Sequence, residues 1–218
     1  FPTITIHESF AHPTSMYLRN LMSIDTEEML RSQPMDACVL IGGCDKTVPA
    51  QLMGGLSSRI PIIQLVTGPM LTGSYNGERV GACTDCRRFW ASYRAEEIDI
   101  DEINRVNNQL VPTVGTCGVM GTASTMAILT EALGLMIPSG ASAPAVSSER
   151  RRIAEKTGIE SVKIAQSNHI PENYITMQNF ENALITLSAI GGSTNGLVHL
   201  TAIAGRLGYK INLKNFDE

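Results

Sequence analysis

The sequence lacks any apolar run near the roughly 20 residues that cross a bilayer. Its longest, Ala37 to Ile41 and the interrupted Ile60 to Val66, stop far short. A membrane-spanning helix is therefore not expected. Positive charge is equally scarce. Lys and Arg number 17 against 21 acidic residues, for a formal charge of −4, and no basic run exceeds Arg150-Arg151-Arg152. Such a balance gives no long-range attraction for polyanions, so nucleic acid is not an expected partner. The opening Phe-Pro-Thr-Ile-Thr-Ile has neither the charged start nor the cleavage site of a signal peptide. It reads as a buried strand, and a start at Phe1 suggests a piece of a longer chain. Five cysteines, at 38, 44, 83, 86 and 117, are an odd number in a chain too large to need disulfide staples. They point to a reducing compartment, with the cytoplasm as the default location, and to thiols that bind metal or pack. Repeats, low-complexity tracts and long linkers are absent too. What is present is 43% apolar content over 218 residues, enough for one substantial core and too much for a disordered chain.

Short apolar runs punctuated by glycine alternate with helical patterns. Thr3 to His7, Ala37 to Gly42 and Pro61 to Thr67 read as buried strands. Helices are expected over Tyr17 to Gln33, Glu96 to Val111, Thr122 to Met136, Ser148 to Thr157 with a stop at Gly158, Phe180 to Ile190 and Thr194 to Leu207. Tyr75-Asn76-Gly77-Glu78 reads as a plain surface loop. This order predicts an α/β layered domain with a mostly parallel sheet flanked by helices, in which ligands collect beyond the carboxyl ends of the strands.

The sharpest local signal is Cys44-Asp45-Lys46-Thr47-Val48-Pro49-Ala50, which follows the second strand and its Gly42-Gly43 turn. A thiol, a carboxylate and an amine behind a fully apolar strand cost desolvation unless partners await them. Gly115 to Gly121 places Cys117 just ahead of a helix start, where backbone N–H groups favour a thiolate. Cys117 is therefore either a small buried hydrophobe or a partner of Cys44 around a metal. Cys83-Thr84-Asp85-Cys86 is a lone CxxC, half of a zinc site or a redox pair at most. His7 and Glu8 close the first strand on the rim where the Cys44 loop emerges, so Glu8 is either an exposed strand end or a hard oxygen ligand beside Asp45. His199 lies in the apolar face of the last helix, as a satisfied core residue or as a donor behind the site. Gly191 to Asn195 is either an anion-holding turn or a plain capped one.

Together these segments resemble the family of dihydroxy-acid, phosphogluconate and sugar-acid dehydratases, over essentially the whole chain. Cys44, Asp45, Lys46, Pro49, Ala50 and Gly54 meet its first signature in full, and GTCGVMGTASTM (115–126) and AIGGSTNGLVH (189–199) follow in the family's order. The resemblance implies an iron–sulfur cluster, [2Fe-2S] or in some members [4Fe-4S], on three cysteines, two of which match Cys44 and Cys117. The third would lie upstream of Phe1. It also implies Mg²⁺ held by carboxylates and a carbamylated lysine, at Glu8, Asp45 and Lys46. The last carboxylate ligand and a serine base would belong to a C-terminal domain that this chain lacks. On that reading residues 1–218 are most of the N-terminal domain, inactive alone, from a protein that forms homodimers or homotetramers.

The implied reaction removes water from a 2,3-dihydroxy acid to give a 2-keto-3-deoxy acid. It needs electrostatic help at the C2 proton and at the departing C3 hydroxyl. An ordinary Lys46 ammonium would be repelled by Mg²⁺, whereas a carbamate would offer the oxygen that Mg²⁺ prefers. Gly42-Gly43, Thr47-Val48-Pro49-Ala50, Pro13-Thr14-Ser15-Met16 and Arg19-Asn20-Leu21-Met22 lean toward the sugar-acid branch, with the branched-chain amino-acid dehydratase as the alternative. Outside the enzymes, the competing reading is a zinc or redox module built on Cys83 and Cys86.

Overall fold

A computed structural model describes residues 15–82, 84–212 and 214. The expected strand Thr3–His7, the rim residues His7 and Glu8, and Cys83 lie outside them. Eight α-helices and two small sheets make up the described residues: α1 (Ser15–Ser32), β1 (Cys38–Gly42), α2 (Thr47–Ser58), β2 (Ile62–Val66), β3 (Gly73–Tyr75), β4 (Glu78–Val80), α3 (Thr84–Arg94), α4 (Ile100–Leu110), α5 (Thr122–Ala132), α6 (Ser148–Gln166), α7 (Met177–Ala189) and α8 (Asn195–Arg206). This is the expected α/β, helix-flanked architecture. Strands β1 and β2 pair in parallel, Cys38 opposite Ile62 through Gly42 opposite Val66. Helix α2 is the crossover between them, as parallel strands require.

Helix α2 is the middle of the core. Val48, Leu52 and Leu56, at helical spacing, are all but fully buried, and Met126, Leu129, Phe180, Leu200 and Ile203 from α5, α7 and α8 join the same cluster. The pair Gly54-Gly55 makes this packing possible. A methyl on Gly54 would sit 2.5 Å from the Ser23 carbonyl oxygen of α1, and one on Gly55 would sit 2.8 Å from Leu40 and Ile62. Helix α1 therefore crosses α2 at backbone distance, and the strands press on its other side.

Three departures from the sequence reading have local causes. Helix α6 does not stop at Gly158 but runs on to Gln166. An interior glycine costs only about 1 kcal/mol, and the left-handed residue that ends the helix is Asn168, at φ 50°, whose N–H bonds the Ala165 carbonyl. The stretch expected as a helix from Glu96 begins instead at Ile100. Glu96 itself is left-handed at φ 60°, and Asp99 caps α4 by accepting from the Glu102 N–H at 2.7 Å. Finally, Tyr75–Glu78 is a hairpin, not a surface loop. Asn76 and Gly77, at φ 50° and 82°, form the tight turn between β3 and β4.

Arg150 ties α6 to the end of β2. Its guanidinium donates to the Val66 carbonyl at 2.8 Å and, through Nε and a terminal nitrogen, to the Ala143 carbonyl at 3.2 and 2.5 Å. Arg150→Met would leave both buried acceptors unpaired, and a loss on the order of 3 kcal/mol in urea unfolding of the full-length protein is expected. An unchanged midpoint would mean that water replaces the guanidinium.

Candidate functional site

Three loops meet at the carboxyl ends of β1 and β2. The first, Gly43 to Lys46, leads into α2, where Pro49 falls in the first turn and so removes an N–H that has no helical partner. The second begins at Thr67, whose N–H bonds the Gly42 carbonyl at 3.0 Å. The third carries Cys117 and is stitched to the second. The Thr116 N–H donates to the Gly68 carbonyl and the Met70 N–H to the Thr116 carbonyl, both at 2.9 Å, forming a parallel bridge between Pro69 and Thr116.

Between these loops lies a cavity of about 980 Å³, and both Cys44 and Cys117 line it. Asp45 and the hydroxyl-bearing Thr47, Thr67, Thr116 and Thr122 share the wall. Glycines allow the approach. A methyl on Gly43 would overlap the Thr67 hydroxyl and sit 2.6 Å from the Thr116 methyl. Gly43→Ala must therefore push the Cys117 loop away from the Cys44 loop. A loss of about 1–3 kcal/mol in urea unfolding, of the size usual for overpacking, is expected.

Asp45 is the hub of its loop. Its Oδ1 accepts from the Cys44 thiol at 3.1 Å and its Oδ2 from the Lys46 ammonium at 2.7 Å. Burial pushes the Asp45 carboxyl up, but the hydrogen bonds from Lys46 and Cys44 and the positive charge of Lys46 outweigh it, so the net shift is downward and the group stays ionised. It also precedes the positive end of α2, which favours an anion. Lys46 is buried, only 4% exposed.

Below Lys46, α1 and α8 bring Arg19 and His199 together. Arg19 donates to Nδ1 of His199 at 3.0 Å. Burial, then the charges of Arg19 and Lys46, lower the His199 pKa to about 4, so the ring is neutral. His199 is thus a buried residue set behind the first loop and linked electrostatically to Asp45. Arg19 was not singled out as a site residue from sequence. The available signal was its helical spacing with the buried Ser15 and Ser23 on one face of α1.

The third motif supports the second. The Ser193 hydroxyl lies 2.8 Å from that of Thr122, the Ser193 N–H donates to the Thr125 hydroxyl at 3.0 Å, and Asn195 donates to Thr122 at 3.3 Å. Gly191 to Asn195 therefore fastens the start of α8 to the start of α5, and the Ser193 N–H is engaged by Thr125. Cys86 sits elsewhere, packed with Tyr75 and Phe89 against Val80, Val106 and Leu110.

The donor types fit two different metals. Thiols on a cavity wall suit iron–sulfur chemistry, and a carboxylate oxygen such as that of Asp45 suits Mg²⁺. Among the described residues no three His, Cys, Asp or Glu side chains converge on one point. The sites are thus partial within them, and Glu8 lies outside.

All 218 residues match the family described as dihydroxy-acid/6-phosphogluconate dehydratase N-terminal. Among similar curated proteins, L-arabinonate dehydratase of Rhizobium leguminosarum bv. trifolii is 44% identical over 99% of this chain and 37% of its own length. D-xylonate dehydratase of Caulobacter vibrioides is 41% identical over 97% and 36%. Dihydroxy-acid dehydratase of Pyrococcus abyssi is 38% identical over 94% and 37%. The chain thus spans little more than a third of the length of these relatives. No described helix is long and apolar enough to cross a membrane.

Proposed function

The chain belongs to the dihydroxy-acid/6-phosphogluconate dehydratase N-terminal family, and on that premise we propose that it is most of the metal-binding domain of a longer hydro-lyase. The substrate is a sugar acid carrying 2,3-hydroxyls and the product its 2-keto-3-deoxy acid. The observation that carries the reading is the shared cavity, with Cys44, Cys117 and Asp45 on its wall and Lys46 paired to Asp45 at 2.7 Å.

Cys44 and Cys117 would hold an iron–sulfur cluster, [2Fe-2S] or [4Fe-4S], together with a third cysteine from outside this chain. Glu8, Asp45 and a carbamylated Lys46 would hold Mg²⁺. When bound, the two groups supply Lewis acidity at the departing C3 hydroxyl and positive charge at the carboxylate and C2 oxygen. This chain's own residues do the positioning. Asp45, kept ionised, presents a carboxylate at the mouth of α2. The two Cys loops are linked through the Thr67–Met70 loop between them, which bonds Gly42 on one side and bridges to Thr116 on the other, and the lack of a side chain at Gly43 permits their approach. The threonine hydroxyls of the cavity wall offer hydrogen bonds to a polyhydroxylated acid. Proton removal at C2 is left to a serine of the C-terminal domain. The assembled protein is a homodimer or homotetramer working in the cytoplasm.

The sugar-acid branch is favoured over the branched-chain one because the most similar relatives named above act, by name, on arabinonate and xylonate. Turnover by the full-length protein of arabinonate against 2,3-dihydroxyisovalerate tests it. Preference for the second substrate would reassign the branch, and turnover of neither would remove the sugar-acid proposal.

A further inference from the structure

His199 has no exposed surface, and one of its nitrogens has no hydrogen-bond partner among the described residues. The tautomer follows from its neighbour. The Arg19 guanidinium, 3.0 Å from Nδ1, has donors only, so Nδ1 accepts and the ring proton sits on Nε2. That Nε2–H is the orphan. A buried donor without an acceptor is costly enough to need an explanation.

Helix α8, which carries His199, packs on α2, whose capping residue is Lys46. Among the described residues, the charged groups that act on the ring are Arg19, Lys46 and Asp45. Both Asp45 oxygens already accept, from Cys44 and from Lys46. Lys46 as an ammonium offers only donors and adds a cation to a region where Arg19 already feels Arg206. Carbamylation changes this. The neutral Nζ uses its lone pair to bond the carbon of dissolved CO₂, one C=O pair moves onto oxygen, and the Nζ proton leaves to solvent. A cation with only donors becomes an anion with two acceptor oxygens.

Building on the metal-site reading above, we infer that His199 is the positioning residue of a carbamylated Lys46: its Nε2–H donates to one carbamate oxygen and leaves the other for the metal. Arg19 fixes the tautomer that makes this possible. The ring supplies a directional donor that ties α8 to the ligand.

The test uses the full-length, cluster-free protein with Mg²⁺, equilibrated with ¹³C-bicarbonate and labelled with ¹⁵N-histidine. In the wild type, the carbamate carbon appears in the ¹³C spectrum and the His199 Nε2–H resonance shifts as it fills. His199→Leu is expected to need about tenfold more bicarbonate for half filling, the scale of a hydrogen bond to a charged group. His199→Gln, which keeps an N–H donor, should recover most of that loss. Equal filling of wild type and His199→Leu overturns the inference, as does a leucine variant no worse than the glutamine one. So does an Nε2–H resonance that stays put while the carbamate forms, a readout that stands even if the leucine variant does not fold. Absence of any carbamate at Lys46 in the wild type would instead remove the metal-site reading, and this inference with it.

Discussion

Serine in place of either Cys44 or Cys117 is expected to strip the anaerobically purified full-length protein of its visible absorption and its iron. A hydroxyl is a hard, rarely ionised donor and a poor substitute for a thiolate at iron. Both side chains line one cavity, on loops that are each bonded to the Thr67–Met70 loop between them, so each substitution should remove the same centre and not half of two. Activity should fall by more than the roughly 10–100-fold that loss of a supporting residue brings at a metal site. The double variant should be no worse than either single one, as expected for residues that act as a unit. Thermal unfolding separates this from misfolding, because both cysteines are only half-buried and serine is nearly isosteric. Iron retained in full by either variant would place that cysteine outside the centre.

Lys46→Arg should abolish Mg²⁺-dependent activity, by at least about the same 10–100-fold margin. Arginine keeps the positive charge and can keep the ion pair that Lys46 makes with Asp45 at 2.7 Å. It stays protonated under all ordinary conditions, so it can neither add CO₂ nor present an oxygen. Loss of Mg²⁺ affinity in calorimetric titration, with the unfolding midpoint little changed, is the expected pattern. Full activity in Lys46→Arg would mean that the lysine serves only as a counter-ion to Asp45.

Much of this was legible in the sequence because it was local. The run Cys38–Gly42, the Gly-Gly corner and the Cys-Asp-Lys that follows lie in one stretch, and period and punctuation together read as strand, turn and helix start. The buried stripe of α2 lies just beyond, though no helix over Thr47–Ser58 is among those expected. Helix α3 is not among the expected elements, although Cys86, Phe89, Trp90 and Tyr93 recur at helical spacing; none of its described residues is fully buried, and three arginines and a threonine dilute the stripe. Asn76-Gly77 is the residue pair of a tight hairpin turn, and Asn168, not Gly158, is the left-handed residue that ends α6. In the site, the residue types were readable, whereas their partners were not. Arg19 and His199 are 180 positions apart and meet only because α1 and α8 both pack on α2. The tight approach of Gly43 to Thr116 is likewise a property of the assembled loops. Glu8, the remaining expected oxygen ligand, lies outside the described residues.

Anomalous diffraction at the iron edge, from crystals of the anaerobically prepared full-length protein, tests the central claim most directly. Iron density bonded to the sulfurs of both Cys44 and Cys117 is the predicted result. Iron bound to neither or to only one of them, or zinc held at Cys83 and Cys86 with the cavity between the loops free of metal, would contradict it.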